Sequence, residues 1–145
     1  MFSELQEKSI TELFRYREAC LGGTFDHMHL GHKLLLTQAC LLTRDTLHVG
    51  VTGDALLQNK QYAQFIEPYA TRAQRVRQFL AMLTPHLKVE VFQLDDPVGR
   101  VGSDPQIEAC ILTREVQKGG QMVNDARAKN GLKPVDLVFV DMILA

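Results

Sequence analysis

The sequence lacks the features that mark several specialised classes of protein. No apolar run approaches the roughly 18 residues that a membrane-spanning helix needs. Basic and acidic residues nearly cancel, at 16 against 17, and the formal net charge is −1. A strongly basic surface for long nucleic acids is therefore not indicated. We expect neither a membrane nor a nucleic acid as a partner of this chain.

Cysteine is also scarce, and its placement argues against a disulfide framework. The three cysteines, Cys20, Cys40 and Cys110, lie far apart in apolar sequence, and no C-x-x-C pair occurs. This pattern predicts three reduced, buried thiols. The first residues, Met1–Lys8, carry acids and lack the apolar core of a secretory signal. Both observations indicate a cytoplasmic protein.

What the sequence does contain is an alternation of apolar strand and helix patterns. With 145 residues, 46% of them hydrophobic and 23% charged, the chain suits one α/β domain. The pattern predicts a Rossmann-like, five-stranded parallel sheet with helices on both faces. We expect a helical extension over residues 1–17 and the domain proper over residues 18–145. The predicted strands are Ala19–Leu21, Leu47–Val51, Val89–Leu94, Ile107–Leu112 and Val135–Val140, and the helices are His29–Thr43, Asp54–Leu57 (with Asp54 as N-cap), Ala70–Leu83 and Gly119 to about Lys129.

The segment G-G-T-F-D-H-M-H-L-G-H, Gly22–His32, joins the first predicted strand to the first long helix. Glycines at the carboxyl end of such a strand let the backbone approach phosphate closely, and the following helix presents free N–H groups. Thr24 can donate its hydroxyl to a phosphate oxygen. His29 and His32 are three residues apart and share a helix face, where imidazoles suit charge stabilisation during phosphoryl transfer.

Other interpretations of this segment stay open. His27, His29 and His32 together could bind a metal ion, although the absence of a nearby cysteine disfavours a zinc site. Asp26 could cap the helix, orient a histidine, or reach a substrate or metal, and the sequence does not decide between these roles.

The ordered motifs resemble those of a known family. H-L-G-H preceded by G-T-F-D is similar to the HxGH signature of the nucleotidyltransferase superfamily. Further stretches resemble the eukaryotic and archaeal phosphopantetheine adenylyltransferases, which also form the adenylyltransferase domain of bifunctional coenzyme A synthase. These stretches are V-T-G-D-A-L-L-Q-N-K (Val51–Lys60), I-E-P-Y-A-T-R-A-Q-R-V-R-Q-F-L (Ile66–Leu80), L-D-D-P-V-G-R-V-G-S-D-P (Leu94–Pro105) and T-R-E-V-Q-K-G-G-Q-M-V-N-D-A-R-A-K-N-G-L (Thr113–Leu132).

The resemblance implies the nucleotidyltransferase fold and one reaction: ATP and 4′-phosphopantetheine give dephospho-CoA and pyrophosphate, with Mg²⁺. It implies that Thr24 steadies the attacking phosphate and that His32 stabilises the pentavalent transition state. His29 then binds ATP phosphates, and Lys60 pairs with the substrate phosphate. We expect no residue to bind a metal ion directly. The implied site for ATP and substrate comprises Gly22, Gly23, Thr24, Phe25, Asp26, His29, Gly31, His32, Lys60, Arg72, Arg75, Arg114, Gly119 and Gly120.

Several of these assignments have a structural alternative. Arg72 and Arg75 are three residues apart on one helix, where a solvated face is as good an explanation as phosphate binding. Arg114 follows the fourth strand at a carboxyl end, which suits an adenine or phosphate contact. Gly119–Gly120 offers an anion site before a helix. Asn124 and Arg127 can face the nucleotide or solvent.

The sequence departs from the family pattern at two places. Family members have Pro-Phe-Gly-Pro where this chain has Pro97–Arg100, and they continue past the fifth strand into an I-S-S-T-x-I-R motif. We interpret the end at Ala145 as a truncation. The alternatives are a cytidylyltransferase of the same superfamily and a non-catalytic nucleotide- or CoA-binding module. No G-x-x-x-x-G-K-[ST] occurs, so any fused dephospho-CoA kinase domain lies outside this chain.

Overall fold

Strands and helices alternate along the chain, as the apolar pattern predicts. The computed structural model describes residues 13–58, 62–114 and 117–141. The strands are β1 (Tyr16–Gly23), β2 (Thr43–Thr52), β3 (Lys88–Leu94), β4 (Ala109–Thr113) and β5 (Asp136–Val140). The helices are α1 (Leu30–Leu42), α2 (Asp54–Leu57), α3 (Tyr69–Leu83) and α4 (Gln117–Lys129), with 3₁₀ turns at Ala63–Phe65 and Gly99–Gly102.

The five strands form one parallel sheet in the order β3-β2-β1-β4-β5. The order reverses between β1 and β4, where the chain crosses from one half of the sheet to the other. The β1–β2 ladder continues to Gly23 opposite Val51. The β1–β4 ladder joins only Ala19 to Ala109 and Cys20 to Cys110. An opening therefore lies beside the end of β1, where doubly wound sheets bind their ligands.

Helices cover both faces of this sheet, which confirms the predicted fold class. Successive side chains of a strand point to opposite faces, so Ala19 and Leu21 share one face and Cys20 lies on the other. The first face packs against α1 and α3, which contribute Leu36 and Val76 to the core. The second face packs against α4 and the Gly99–Gly102 turn, with Cys20, Val101, Ile107, Cys110, Val123 and Val135 as its buried cluster.

A buried polar network lies on the second face, under the β3–β4 connection. His48 is 3% exposed. Its Nδ1 accepts from Arg100 Nη1 at 3.1 Å, so its Nε2–H donates to Glu18 Oε1 at 2.7 Å. Arg100 also pairs with Glu90 and lies over the Phe92 ring, 4.1 Å from its centroid. The arginine that departs from the family pattern therefore ties the connection to β2 and β3.

The three cysteines are free and buried, which confirms the sequence prediction. Burial raises the pKa of the Cys40 thiol to about 11 and that of Cys110 to about 12. The pKa of Cys20 is also raised, mainly by burial. Because the thiolate is the reactive form, these groups serve packing in the core.

Some element boundaries differ from the predicted ones. β1 begins at Tyr16, whose side chain is buried, so the boundary predicted at residue 17 falls inside a strand. Residues 1–12 of the predicted extension lie outside the described residues. Gly53 occupies the N-cap position of α2, so no side chain caps this helix. The prediction of Asp54 as N-cap is therefore wrong, and its carboxylate pairs with Arg72 instead.

None of the helices in the described ranges combines the length and the apolar character required to cross a bilayer.

Candidate functional site

The loop between β1 and α1 has an unusual backbone. Phe25 and His27 both adopt left-handed conformations, with φ of 53° and 47°. Such conformations cost energy in residues that carry a Cβ, so the surrounding contacts must hold them in place. Phe25 is 1% exposed, and its ring lies 3.1 Å from where a Cβ on Gly23 would sit. Gly23 therefore lets the loop fold back over the end of β1.

His29 and His32 build the first turn of α1. His29 is the N-cap residue, and its Nδ1 accepts from the Gly31 N–H at 3.0 Å. His32 Nδ1 accepts in turn from the His29 N–H at 3.3 Å. Because each Nδ1 accepts, each neutral ring carries its proton on Nε2. Neither Nε2 has a partner among the residues that the structure describes, so both can donate to an anion.

The two rings stack, and the site disfavours the charged form of His32. Their centroids are 3.8 Å apart, and the Phe25 ring lies 5.6 Å from that of His32. Burial lowers the pKa of His32 below its ordinary value of 6.5, and His29 lowers it further while Asp26 opposes the shift. His32 is therefore a neutral hydrogen-bond donor at physiological pH.

Asp26 connects the motif loop to the segment before α3. Its Oδ1 accepts from the Glu67 N–H at 2.8 Å, and its Oδ2 lies 2.9 Å from His27 Nδ1. Burial alone would raise the pKa of Asp26, but the bonds from Glu67 and His27 lower it overall. Of the roles considered from the sequence, the structure assigns it the orientation of a histidine, namely His27. The helix cap belongs to His29 instead.

The carboxylates near the motif do not form a ready metal cage. Asp26, His27 and Glu67 bring ligand atoms within 4.8 Å of one another. However, Glu67 Oε1 accepts from the His27 N–H at 2.8 Å, and Oε2 pairs with Arg75 at 3.1 Å. Both oxygens of Asp26 are engaged as well. Among the described residues, no metal-holding group combines His27 with His29 and His32, the trio considered from the sequence.

Among the predicted site residues, Arg72 departs most from its predicted role, which was to bind phosphate. Its side chain is fully buried, and its guanidinium donates to the backbone carbonyls of Thr24, Thr52 and Glu67. A fourth bond joins it to Asp54 Oδ1 at 3.0 Å. The structure thus corrects both interpretations of Arg72, because it lies neither on a solvated face nor free to bind a ligand. Arg75 is half exposed and pairs with Glu67.

Three further predicted residues, Arg114, Gly119 and Gly120, follow the end of β4 at the same edge of the sheet. Arg114 follows β4 and is exposed, with its Nε 3.2 Å from Asp141 Oδ1. Gly119 and Gly120 lie inside α4 near its start, and a Cβ on Gly120 would meet Leu112 and Leu137 side chains at 2.8 and 2.9 Å. Gly120 is therefore needed for close packing of α4 on the sheet. Lys60 lies outside the described residues, so its role stays a prediction.

Asn124 and Arg127 contact the protein itself. Asn124 bonds the backbone of Val135 in both directions, and the buried Arg127 donates to the carbonyls of Val101, Asp104 and Lys133. The expectation that they face nucleotide or solvent is wrong, because a buried guanidinium takes the backbone carbonyls within its reach. Together they fasten α4 to the β3–β4 connection and to the start of β5.

Sequence reasoning missed Glu67, which contacts the motif across about 40 residues of chain. The only local signal is its position before Pro68 and α3, where a helix start often carries an acid. An open cleft of about 390 Å³ adjoins this segment. Its lining residues are Asp54, Leu57, Gln58, Ala63, Gln64, Ile66 and Pro68.

Comparison with known proteins agrees with this geometry. The family model described as cytidylyltransferase-like matches residues 20–140, which include the sheet and the motif. A protein of Thermococcus kodakarensis named phosphopantetheine adenylyltransferase is 35% identical over 129 residues, which are 89% of this chain and 77% of that protein. One of Saccharomyces cerevisiae with the same name is 42% identical over 129 residues, again 89% of this chain. The chain spans 42% of the yeast protein's length.

The solved structures that resemble this chain share its fold. A protein of unknown function from Archaeoglobus fulgidus superposes with a TM-score of 0.75 at 25% identity, covering 88% of this chain and 92% of that one. A lipopolysaccharide core biosynthesis protein from Thermoplasma volcanium has a TM-score of 0.64 at 19% identity, covering 86% and 95%, and supports the fold alone.

The family follows from the extent of these matches. The cytidylyltransferase-like model covers most of the chain, and the Thermococcus relative exceeds 30% identity over more than two thirds of its own length. The chain therefore belongs to the cytidylyltransferase-like nucleotidyltransferases and, within them, to the phosphopantetheine adenylyltransferase family. The predictions of family, fold and enzyme class are confirmed.

Proposed function

We propose that this chain transfers AMP from ATP to 4′-phosphopantetheine, releasing dephospho-CoA and pyrophosphate in coenzyme A biosynthesis. The observation that carries the proposal is the pair of stacked imidazoles of His29 and His32. Each Nδ1 is committed to the helix cap, and each Nε2–H is free to donate to phosphate oxygens. The relatives' shared name supplies the substrates.

In this reaction a phosphate oxygen of the acceptor attacks the α-phosphorus of ATP. One P–O bond forms, the bond to the β-phosphate breaks, and the electron pair leaves with pyrophosphate. Charge on the equatorial oxygens is stabilised by donors that are already in place. His32 serves the transition state, His29 the ATP phosphates, and the Thr24 hydroxyl the attacking phosphate, because none of these donors has a partner among the described residues.

Mg²⁺ belongs to the proposal as a companion of ATP. The nearby carboxylates of Asp26 and Glu67 already accept from protein donors. Mg²⁺ commonly keeps its waters and binds through substrate phosphates, so a dedicated protein cage is not required. When bound, it supplies charge neutralisation on the triphosphate.

The other parts of the proposal concern the surroundings of the site. The cleft beside Ile66 and Pro68 offers room for the arm of the acceptor. We place the protein in the cytoplasm, supported by its three free thiols. A dephospho-CoA kinase domain fused outside this chain, which the family resemblance implies, stays a prediction that the neighbouring natural sequence can test.

Steady-state pyrophosphate release tests the proposed function. The full-length protein is assayed with ATP and 4′-phosphopantetheine, and in parallel with CTP and a phosphorylated alcohol. We expect turnover with the first pair and less than about 1% of that rate with the second. A site whose polar groups hydrogen-bond to adenine leaves those groups unpaired when cytosine is bound. Turnover with the CTP pair alone would identify a cytidylyltransferase. ATP binding in calorimetry without turnover of either pair would identify a non-catalytic module.

A further inference from the structure

We propose that Arg72 is a positioning residue, which works with Glu67 to hold the motif loop, residues 24–29, in the shape needed for transfer. The proposal rests on the proposed function, because it concerns the same site. Neither residue reaches the reacting atoms through the contacts that the structure shows. Each acts instead through the backbone of this loop, which carries the Thr24 hydroxyl.

Arg72 joins three separate segments at the carboxyl edge of the sheet. Its Nη1 donates to the Thr24 carbonyl at 3.0 Å and to the Thr52 carbonyl at 2.7 Å. Its Nε donates to the Glu67 carbonyl at 2.8 Å. The ends of β1 and β2 and the start of α3 therefore share one planar fork. Because the cation is fully buried, losing any of these acceptors leaves an uncompensated donor in the interior.

Glu67 holds the same loop at Asp26 and His27. Its N–H donates to Asp26 Oδ1, and its Oε1 accepts the His27 N–H, both at 2.8 Å. Together with the Arg72 bond to Thr24, these contacts bracket Phe25 and reach His27, the two left-handed residues of the loop. A strained backbone persists only where its surroundings fix it on several sides. The Arg72–Glu67 pair supplies that fixation, and we call it the clamp.

The clamp leads to a distinctive kinetic prediction. Thr24 is bonded to Arg72 through its own carbonyl, so loosening the clamp shifts the hydroxyl that faces the acceptor. A displacement of about 1 Å at a reacting group costs on the order of 10²-fold in rate. The phosphate-binding end of α1 is built by His29, Gly31 and His32 without the clamp. Loosening the clamp therefore lowers kcat and leaves ATP affinity nearly unchanged.

The experiment compares Arg72→Lys, Glu67→Ala and the double variant in the full-length protein. Lysine keeps the charge but replaces the fork by a point donor. We expect kcat to fall about 30- to 100-fold in Arg72→Lys and about 10-fold in Glu67→Ala, with the Kd of ATP changed less than about 3-fold. Because both residues act on one loop, the double variant loses clearly less than the product of the single losses.

Two controls separate positioning from general destabilisation. Val76→Ala removes buried volume from the same helix away from the loop, and Arg77→Lys repeats the chemical change at an exposed position of α3. At an assay temperature well below every Tm, both keep kcat within about 2-fold of the wild type, since neither touches the site. Equal kcat losses in Val76→Ala and Arg72→Lys at matched Tm would overturn the proposal.

The remaining outcomes are also decisive. A tenfold or larger rise in the Kd of ATP with kcat preserved would show that Arg72 binds ATP directly. If the kcat loss of the double variant equals the product of the two single losses, Arg72 and Glu67 act independently and the clamp is refuted.

If Arg72→Lys does not fold, Glu67→Ala alone must show the loss in kcat. If the wild type turns over no substrate pair, amide exchange still tests the clamp: Arg72→Lys must speed exchange at His27 and Glu67 at least about tenfold, with α4 unchanged. Unchanged exchange there refutes the clamp whatever the activity.

Discussion

At the scale of single residues, His29 and His32 each use Nδ1 in the helix cap and leave Nε2 for the chemistry that we propose. Nδ1 accepts a backbone N–H at the start of α1, and Nε2 keeps the proton that an anion can use. The two functions of one ring can therefore be removed separately. An asparagine places a carbonyl oxygen where Nδ1 was, and a glutamine places an amide N–H near the position of Nε2.

This division predicts opposite orders of activity and stability for two substitutions at one position. His32→Asn keeps the cap acceptor and loses the donor that we propose serves the transition state, so we expect kcat to fall about 10²- to 10³-fold with little change in Tm. His32→Gln retains roughly tenfold more activity than His32→Asn but loses about 1 kcal/mol of stability with the cap. Steady-state kinetics and thermal unfolding measure both orders.

His86→Asn, an exposed histidine between α3 and β3, is the control and should match the wild type in both measurements. Equal activity in His32→Asn and His32→Gln would contradict the assigned tautomer.

The depressed pKa of His32 predicts how stability depends on pH. Below its unfolded pKa of about 6.5 the unfolded chain binds the proton more readily than the folded one. The stability that His32 contributes is therefore complete above that pH and is lost as pH falls towards the lower folded pKa. Urea titrations between pH 7.5 and 5 should show a steeper loss in the wild type than in His32→Asn. Parallel curves would refute the shift.

Local chemistry in the sequence was enough to propose candidates for phosphate contact, because glycine, threonine and histidine lie in one short segment. It could not assign Arg72, since the contacts that bury this residue reach Thr24 across 48 residues and Thr52 across 20. Helical spacing alone places Arg72 and Arg75 on one side of α3. The fold then buries the first and leaves the second half exposed.

At the scale of elements, α4 carries two adjacent glycines near its start, and their surroundings differ. A Cβ on Gly119 meets nothing within 4 Å, whereas a Cβ on Gly120 meets two leucine side chains at less than 3.0 Å. Gly119 is thus free of packing demands, and Gly120 sets the distance between α4 and the sheet. Two matched alanine substitutions separate these roles.

We expect Gly119→Ala to stabilise the protein by about 0.5–1 kcal/mol through helix propensity. Gly120→Ala gains the same propensity but forces Leu112 and Leu137 to move, at a cost of about 1–3 kcal/mol. Chemical denaturation should therefore rank Gly119→Ala above the wild type and Gly120→Ala below it. The reverse order would contradict the packing of α4. A weaker Kd for ATP in Gly119→Ala would support the anion site predicted there.

The positions of the strands and helices followed from the apolar pattern, but several of their ends did not. Ile107 and Val135 are apolar and buried, yet both lie just before the strands they were assigned to. The Val135 N–H bonds to Asn124 rather than to a strand. β2 starts at Thr43, immediately after α1, so no turn residue marks the change. Buried residues and paired strand residues coincide only in part, so a pattern of apolar residues cannot predict exactly where a strand begins.

At the scale of the whole molecule, the strand order places the motif at the site of a functional crevice. Alternation of strands and helices predicts parallel pairing, but it does not give the order β3-β2-β1-β4-β5. That order makes the end of β1 the switch point, because the ladder between β1 and β4 joins Ala19 and Cys20 to the first two residues of β4 and stops there. The turn that we propose to bind phosphate, the clamp and Arg114 all lie along this one edge of the sheet.

The central claim is that an adenylyl group is transferred at this edge of the sheet, with His32 stabilising the transition state. The most direct test uses ATP labelled with ³²P at its α-phosphate and follows where the label goes. The full-length protein is incubated with this ATP, 4′-phosphopantetheine and Mg²⁺, and the products are separated. The account predicts that the label moves into dephospho-CoA in the wild type, and at least about 10²-fold more slowly in His32→Asn. Label that stays in ATP, or that moves equally fast in His32→Asn, would contradict it.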